Sequence, residues 1–426
     1  TSSFVISSPF FLPENMVHHT ISTSSTSANN ASNKINPMKK LLGSYILGSL
    51  LISLSLFLVA CGSRPVKPTP PREEAPAVAA PTPNVSAPST STPSFVNTKS
   101  KWILAAWSDL PGVANDNFNE AWTAWLQSCT RNTTAHKRLC AEVAQLTGQP
   151  SSTQREWVVK NFQPYRVETL TGDAAPSTGL LTAYYEPIFE ATRIAKSGFE
   201  VPLYSVPANL KSKSPWFSRE EIQRLPAAQN ALKGKEIAYI ADPVDAMILH
   251  IQGSGRLWVT QADGSRRQIR VAFAGTNDHP YQSIGRWLLD QNLTKDATWP
   301  GIKSWLAQNP RRTTELLSKN PRYVFFKEEA LLGNDALLGP KGAQGVPLTP
   351  GRSIAVDPGS VPYGMPVWLS SNGPQTQLNR MVIAQDTGSA IVGAVRADYF
   401  VGSGQAAGDL AGRLKQDMKM WVLLPR

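Results

Sequence analysis

The chain has 426 residues, of which 41% are hydrophobic and 17% charged, so one or two folded domains with tails are expected and a wholly disordered chain is excluded. Its formal net charge of +11 favours an acidic partner or surface. Because the basic residues are scattered and no recognition motif accompanies them, we predict no binding to nucleic acid.

Residues 38–60 have the parts of a secretory signal peptide: a short basic start, an apolar stretch and small residues before Cys61. The Leu-x-Ala-Cys ending resembles a bacterial lipobox, in which Cys61 becomes the lipidated first residue. Gly62 after it resembles outer-membrane sorting, so we expect a lipid-anchored protein on the periplasmic face of a Gram-negative outer membrane. The alternative is an uncleaved membrane anchor, since about 20 apolar residues can span a bilayer. Residues 1–37 form a polar, Ser-rich extension that is excluded from the fold prediction.

Residues 61–99 are rich in Pro, Ala, Ser and Thr, which predicts an extended tether. The folded body follows it. Apolar residues at helical spacing predict helices within 115–147 and over 153–162. Cys129 and Cys140 could close a disulfide in an oxidising compartment. The cysteines form no CxxC pair and the histidines are dispersed, so no structural zinc site is predicted. No Walker or dinucleotide fingerprint appears, so no cofactor is predicted.

From about residue 178, short apolar runs bounded by Gly, Pro, Asn and Asp indicate strands. The first predicted strands are 179–185, 246–251 and 256–260, the last followed by an Asp-Gly hairpin signal. Helices are predicted over 281–291, 302–308 and 311–319. The later predicted strands are 353–357, 365–370, 380–386, 390–395 and 419–424. Short strands with Gly and Pro turns favour a β-dominated barrel or sandwich with helical decoration.

Three aspartates lie in the apolar last quarter of the chain: Asp357 before Pro-Gly, Asp386 in Gln-Asp-Thr-Gly and Asp398 in Arg-Ala-Asp-Tyr-Phe. Carboxylates beside buried strands are costly unless they are paired, hydrogen-bonded or used in chemistry. The residues alone leave simpler roles open. Asp398 could cap a helix or sit in a turn, and the other two could be structural turn residues.

Polar motifs follow one another along the whole body. They are Leu-Thr-Ala-Tyr-Tyr-Glu-Pro at 181–187, His-Ile-Gln-Gly-Ser-Gly at 250–255, Phe-Ala-Gly-Thr-Asn-Asp-His-Pro-Tyr-Gln-Ser-Ile-Gly at 273–285, Asn-Pro-Arg-Tyr-Val-Phe-Phe at 320–326, Val-Asp-Pro at 356–358, Gln-Asp-Thr-Gly at 385–388, Gly-Ala-Val-Arg-Ala-Asp-Tyr-Phe at 393–400 and Gly-Ser-Gly-Gln-Ala-Ala-Gly at 402–408. Their order and spacing over residues 100–426 resemble the membrane-bound lytic murein transglycosylase A family, with its three-aspartate domain.

The resemblance implies a mostly β fold with some helices. One domain would be a double-psi β-barrel built from residues 100–190 and 335–426. Residues 191–334 would form a second, smaller β-barrel domain. A glycan groove is expected between the two, which is a common place for a ligand.

The resemblance also implies the site residues. Asp398 corresponds to the catalytic aspartate of the family, and Asp386 would be a second catalytic carboxylate. The expected substrate-binding residues are Thr182, Tyr184, Tyr185, Gln252, Ser254 and Asp357. For Gln252 and Ser254, a β-bulge with satisfied polar groups is the alternative. A serine nucleophile is not predicted, since Gly-Ser-Gly lacks the nucleophile-elbow pattern.

The implied reaction is non-hydrolytic cleavage of the β-1,4 bond between N-acetylmuramic acid and N-acetylglucosamine in peptidoglycan. The muramyl C6 hydroxyl is tethered to the reacting sugar and attacks C1, which gives a 1,6-anhydromuramyl end. Asp398 would protonate the leaving oxygen and then accept the O6 proton, with a pKa raised by partial burial.

We expect a monomer that binds peptidoglycan glycan strands, with cell-wall synthesis or remodelling proteins as candidate partners. Two other functions stay open. One is a glycoside hydrolase that uses the pair Asp386 and Asp398, because hydrolytic glycosidases normally need two carboxylates. The other is a non-catalytic lipoprotein that binds the cell wall.

Overall fold

The computed structural model describes residues 94–131, 136–170 and 177–426. The predicted N-terminal extension, the signal peptide, Cys61 and most of the tether lie outside the described residues. Residues 94–99, which the sequence placed in the tether, form a strand and a turn leading into the next strand. In the described part of the chain, the helices are all too short or too polar to cross a bilayer.

The described residues form ten α-helices and fifteen strands, besides short 3-10 helices. The helices are α1 (Phe118–Cys129), α2 (Cys140–Gln145), α3 (Ser151–Asn161), α4 (Arg219–Arg224), α5 (Pro226–Leu232), α6 (Pro243–Gln252), α7 (Ile284–Asp290), α8 (Trp299–Gln308), α9 (Thr313–Ser318) and α10 (Gln405–Arg413). The strands are β1 (Ser94–Val96), β2 (Ser100–Leu104), β3 (Phe162–Thr169), β4 (Gly179–Glu186), β5 (Ile188–Thr192), β6 (Val201–Tyr204), β7 (Glu236–Ile240), β8 (Ser254–Thr260), β9 (Arg266–Thr276), β10 (Val324–Ala330), β11 (Ser353–Val356), β12 (Pro366–Asn372), β13 (Gln377–Asp386), β14 (Arg396–Ser403) and β15 (Lys415–Pro425).

The first sheet closes into a six-stranded barrel, because the long strand β15 pairs with β12 through its middle and with β4 through its first residues. The ring runs β15-β12-β13-β11-β14-β4, and β3, β2 and β1 extend the sheet from β15. The barrel interior is apolar and fully buried, with alternate residues of each strand pointing inward. They include Leu181, Ile354, Val356, Val382, Ala384, Ala397, Tyr399, Met420 and Val422. Strands from both ends of the folded body therefore share one core.

Helices α1 and α3 cover part of the outer face of this barrel. Phe118, Trp122 and Trp125 recur along α1 at three- and four-residue spacing and pack against Trp368 and other outward residues of the sheet. A disulfide joins the end of α1 to the start of α2 through Cys129 and Cys140. The predicted helices in this region are confirmed, and so is the ability of the two cysteines to pair.

The second sheet has six strands in the order β10-β9-β8-β5-β7-β6. A bridge between Ser205, just after β6, and Phe326 of β10 joins its two edges, so this sheet also curls into a barrel. Its interior is apolar, with Leu203, Leu257, Val259, Ile269, Val271 and Val324 buried in one cluster. The Asp-Gly turn at 263–264 connects β8 and β9, as predicted.

The prediction of a strand over 246–251 is wrong, because these residues lie inside α6. Asp242 caps the helix by accepting a hydrogen bond from the Val244 amide, and Pro243 occupies the first turn. Gly253 ends it in a left-handed conformation with φ of 78°. The helix is buried on several sides, so its continuous apolar run carries no helical period that could distinguish it from a buried strand.

The predicted strand over 390–395 is also wrong. These residues form a loop, and β14 begins only at Arg396. Gly393 has φ of 121°, a conformation that side-chain-bearing residues rarely adopt and that breaks a strand. Asp398 therefore lies inside a strand rather than in a turn or at a helix start.

Candidate active site

The predicted site residues lie on the outer face of the first barrel, where β13, β11, β14 and β4 run side by side. Ala355 of β11 lies opposite Asp386 on one side and opposite Asp398 on the other. A register shift of the kind a β-bulge makes brings Asp386 rather than Gln385 opposite Ala355. Because residues opposite one another project to the same face of a sheet, the two carboxylates share one surface.

Asp398 is held by the neighbouring strand β4. Its register partner Thr182 donates a hydrogen bond from Oγ1 to Asp398 Oδ1 and accepts one from Arg396 Nη2 at 2.8 Å. Burial raises the pKa of Asp398, and this effect exceeds the opposite effects of the Thr182 hydrogen bond and the Arg396 charge. A partly exposed carboxyl with a raised pKa is suited to giving and taking a proton.

Asp386 ends β13 and is held by two donors. The Tyr184 hydroxyl donates to its Oδ2 at 2.9 Å, and the Ala343 amide donates to its Oδ1 at 2.8 Å. Burial, and to a smaller extent the charge of Asp398, together raise the pKa of Asp386 to about 6 against the effect of these hydrogen bonds. The same surroundings, burial first, raise the pKa of Tyr184, so the phenol stays a hydrogen-bond donor. Asp386 and Asp398 therefore form an electrostatically coupled pair.

A cavity of about 470 Å³ lies between this face and the second sheet. Asp386 and Tyr184 line it from the first barrel, and Gln252 and Ser254 line it from the end of α6 and the start of β8. Gln252 also accepts a hydrogen bond through Oε1 from the Tyr185 amide at 3.1 Å, which ties α6 to β4. The structure thus brings four of the predicted site residues to one cavity.

The other predicted residues lie outside the lining of this cavity. Asp398 and Thr182 lie beside the cavity, because Asp398 shares the barrel face with Asp386, which lines it. Both residues are partly exposed. Tyr185 projects to the opposite side of β4 from Tyr184 and packs against a cluster of buried apolar residues from α6, α7, α8 and α9. Burial raises the pKa of Tyr185 to about 12, which fits a packed phenol.

Asp357 has different surroundings from the other two aspartates. Its carboxylate forms an ion pair with Lys99 Nζ at 2.8 Å and accepts hydrogen bonds from the amides of Gly359 and Gly393 at 3.0 and 2.9 Å. The Lys99 bond and charge and the two amides lower its pKa despite burial. Both oxygens are therefore occupied within the protein, which favours the structural role that its turn setting suggested.

A buried charge cluster at the junction of the two sheets has no signal in the sequence. Glu186 at the end of β4 accepts hydrogen bonds from Arg256 and Arg270, which lie on neighbouring strands of the second sheet. The two guanidiniums also donate at 2.7 Å to the carbonyls of Ala336 and Leu338. Buried charges are tolerated when they are paired and hydrogen-bonded in this way. The cluster therefore fixes the start of the loop that leads to Ala343, whose amide donates a hydrogen bond to Asp386.

The loop that forms one wall of the cavity was also not predicted from the sequence. Residues 340–343 line the cavity, and their contribution to Asp386 is a backbone amide that any residue type except proline can supply. Arg396 was missed too, although it stands two residues before Asp398 and orients Thr182. Among the described residues, no group of His, Cys, Asp and Glu is placed to hold a metal ion.

Two family models match this chain. The MltA specific insert domain matches residues 180–327, and the 3D domain matches residues 352–424. The membrane-bound lytic murein transglycosylase A of Vibrio cholerae is 32% identical over 287 residues, which are 63% of this chain and 73% of that protein.

Solved structures match over most of the folded body. The lytic transglycosylase LtgG of Burkholderia pseudomallei has 41% identity and a TM-score of 0.54, covering 76% of this chain and 95% of that chain. Escherichia coli MltA with bound chitohexaose has 25% identity and a TM-score of 0.60, covering 76% of this chain and 94% of that chain. The predicted mostly β fold, with a double-psi barrel, a smaller second barrel and a groove between them, is confirmed. This chain belongs to the membrane-bound lytic murein transglycosylase A family.

Proposed function

We propose that the protein is a lytic transglycosylase that cleaves the glycan strands of peptidoglycan. The observation that carries the proposal is the coupled pair Asp386 and Asp398, both with a raised pKa, on the barrel face beside the cavity. Family membership supports the substrate, because the relatives are named as lytic murein transglycosylases and a related protein binds a chitin hexamer.

In this mechanism Asp398 begins protonated and donates its proton to the glycosidic oxygen as the bond to N-acetylmuramic acid C1 breaks. The muramyl O6 hydroxyl then forms the bond to C1, and Asp398 accepts the hydroxyl proton. No water is consumed, and the proton count of the enzyme is unchanged after one turnover. Thr182, held by Arg396, keeps Asp398 Oδ1 oriented, so the other oxygen is free to face the leaving group.

Asp386 acts on this step through its charge and position. The charge of Asp398 raises the pKa of Asp386, and the interaction between two like charges acts on both groups. An ionised Asp386 therefore disfavours loss of the proton from Asp398. It also places negative charge near C1, where positive charge develops as the glycosidic bond breaks. Tyr184 and the Ala343 amide hold it in place for both purposes.

The rival chemistry is hydrolysis, in which Asp386 would activate a water molecule and Asp398 would be the acid. The two reactions give different sugar ends, so mass spectrometry of digested peptidoglycan separates them. We expect 1,6-anhydromuramyl ends and no ¹⁸O incorporation when the digestion is run in H₂¹⁸O. Reducing muramic acid ends that carry ¹⁸O would establish the hydrolase instead. If no product were released, the protein would be a non-catalytic wall-binding protein.

We further propose that Cys61 carries the lipid that anchors the protein to the outer membrane, with the catalytic body in the periplasm as a monomer. The basic, apolar and small-residue pattern up to Cys61 supports this proposal, and the relatives are named as membrane-bound proteins. Replacing Cys61 by Ser is expected to abolish labelling with a radioactive fatty acid and to release the protein from the membrane fraction. Retention in that fraction would contradict it.

A further inference from the structure

Three basic side chains line the cavity beside the aspartate pair: Arg322, Lys327 and Lys341, together called the basic wall below. Among the described residues that line the cavity, the carboxylates are Glu329 and Asp386. His250, which also lines the cavity, adds no charge, because burial and the nearby Arg219 lower its pKa well below the ordinary value. The basic wall therefore outweighs the carboxylates of the cavity in charge.

Lys327 lies on the face of the second sheet that faces the cavity. It is opposite Ala272 in β9, which is in turn opposite Ser254 in β8, and all three line the cavity. Its ammonium contacts Glu329 at 2.9 Å, but the lysine side chain is 56% exposed. Exposed ion pairs contribute little, about 0–1 kcal/mol, so a ligand carboxylate can replace Glu329 at small cost.

Lys341 and Arg322 are available in a similar way. Lys341 is exposed and forms no ion pair with the described residues, and it lies two residues before Ala343, whose amide holds Asp386. It is therefore close to the point of bond cleavage. Arg322 is half-buried and uses one nitrogen to donate to the carbonyl of His279 at 3.2 Å. Arginine offers five donors in a planar fork, which leaves most of its capacity for a ligand.

The sugars of a peptidoglycan strand carry no charge, because the amino groups are acetylated and the lactyl carboxyl is bound to the peptide as an amide. The negative charges of the polymer lie on the free carboxylates of the peptide stems. Arg and Lys side chains bind carboxylates through charge-assisted hydrogen bonds, which are stronger than those to a neutral sugar oxygen. We propose that the basic wall binds the peptide-stem carboxylates of the muramyl residue held at the cleavage site. This inference rests on the proposed function.

The test uses the double variant Lys327→Gln, Lys341→Gln and compares glycan strands that carry peptide stems with the same strands after an amidase has removed the stems. On stem-bearing strands we expect KM to rise about tenfold with kcat unchanged, because two surface charge contacts are lost and neither touches the reacting atoms. On stripped strands KM is expected to change less than twofold. Chitohexaose, which is neutral, should bind both proteins equally.

The matched control is Lys160→Gln, Lys233→Gln, which removes the same charge from exposed lysines outside the cavity lining and should leave KM unchanged on both strands. Unchanged KM on stem-bearing strands in the cavity variant would overturn the inference. An equal rise on stripped strands would also overturn it, since stripping exposes the lactyl carboxylate and would assign the wall to that group.

Failure of the proposed function gives a different result. If the unaltered protein forms no anhydromuramyl ends from either strand, the reaction assignment is wrong. The stem inference is then decided by calorimetric binding of stem-bearing and stripped strands to the two proteins. A loss of affinity confined to stem-bearing strands in the cavity variant supports it, and equal affinities contradict it.

Discussion

Three aspartates lie close together on the first barrel: Asp357 just after β11, Asp386 at the end of β13 and Asp398 near the start of β14. Their electrostatic surroundings are of two opposite kinds. Asp357 has a lysine and two amides around its carboxylate, and its pKa is lowered. Asp386 and Asp398 lie beside one another with only part of each side chain exposed, and burial raises the pKa of each. The first arrangement stabilises a charge, whereas the second keeps protons available at some cost to folding. Proximity in sequence therefore does not make the three aspartates equivalent.

The largest expected effect comes from Asp398→Asn, which removes the proton donor without changing the shape of the side chain. We expect the rate of anhydromuramyl release to fall about 10³-fold or more, since positioned acids and bases contribute about 10²–10⁴-fold. Thermal unfolding should show a folded protein, and binding of chitohexaose should persist. A variant that keeps near-normal turnover would remove Asp398 from the mechanism.

Asp386→Asn sharpens the comparison because it should have opposite effects on activity and stability. Activity is expected to fall about 10²-fold. The free energy of unfolding at pH 7 should rise by about 1–2 kcal/mol, because the variant has no carboxyl that must ionise in surroundings that raise its pKa. This value is smaller than the pKa shift alone would give, because Asp386 is partly exposed to solvent. Chemical denaturation of both proteins measures this difference. Loss of stability in the variant would contradict a carboxylate held at energetic cost.

The pH dependence of activity tests the coupling between the two carboxyls. A raised pKa means that the protonated form persists to higher pH, so the active form is present below that pKa and is lost as pH rises through it. We expect kcat/KM of the unaltered enzyme to decline as pH rises through the raised pKa of Asp398, because the reaction starts from its protonated form. In Asp386→Asn the declining limb should move to lower pH by about one unit, because the like charge is gone. An unmoved limb would show that the pair is uncoupled.

The smallest effect on activity is expected for Asp357→Asn, whose role is structural. The free energy of unfolding should fall by about 1–3 kcal/mol, the usual range for losing a charged partner of buried donors. Because the folded pKa is lowered, this stabilisation is present above the unfolded pKa and lost as pH falls through the folded one. The free energy of unfolding of the variant should therefore not show this loss as pH falls. Turnover per folded molecule should stay within about twofold, and a 10²-fold loss would make Asp357 a site residue.

The sequence predicted three of the four strands that carry the site, but neither β14 nor the alignment of the strands. Periodicity and turn residues located β4 and β11 to β13 closely, because one face of each is buried in the barrel. The register shift that aligns Asp386 with Asp398 depends on pairing between strands that are distant in sequence, which no local pattern encodes. The motif resemblance, rather than spacing, brought these residues together.

The wrong prediction of a strand over 246–251, where α6 lies, has a related cause. Asp242, Pro243 and Gly253 are ordinary signals for the start and end of a helix, and they were available in the sequence around α6. The short apolar run between them is also typical of a buried strand, and this pattern led to the wrong prediction. The buried cluster of Glu186 with two arginines could not be predicted at all, since its members meet only after both sheets have formed.

A ¹³C NMR titration of the three aspartate carboxyls in the folded protein would measure the pKa of each one separately. The comparison predicts a pKa of about 6 for Asp386, a value above 3.8 for Asp398 and a value below 3.8 for Asp357. It also predicts that Asp398→Asn lowers the pKa of Asp386, since the neighbouring charge is removed. If all three carboxyls titrated near 3.8, or if Asp386 did not respond to Asp398→Asn, the assignment of a proton-holding pair would be contradicted.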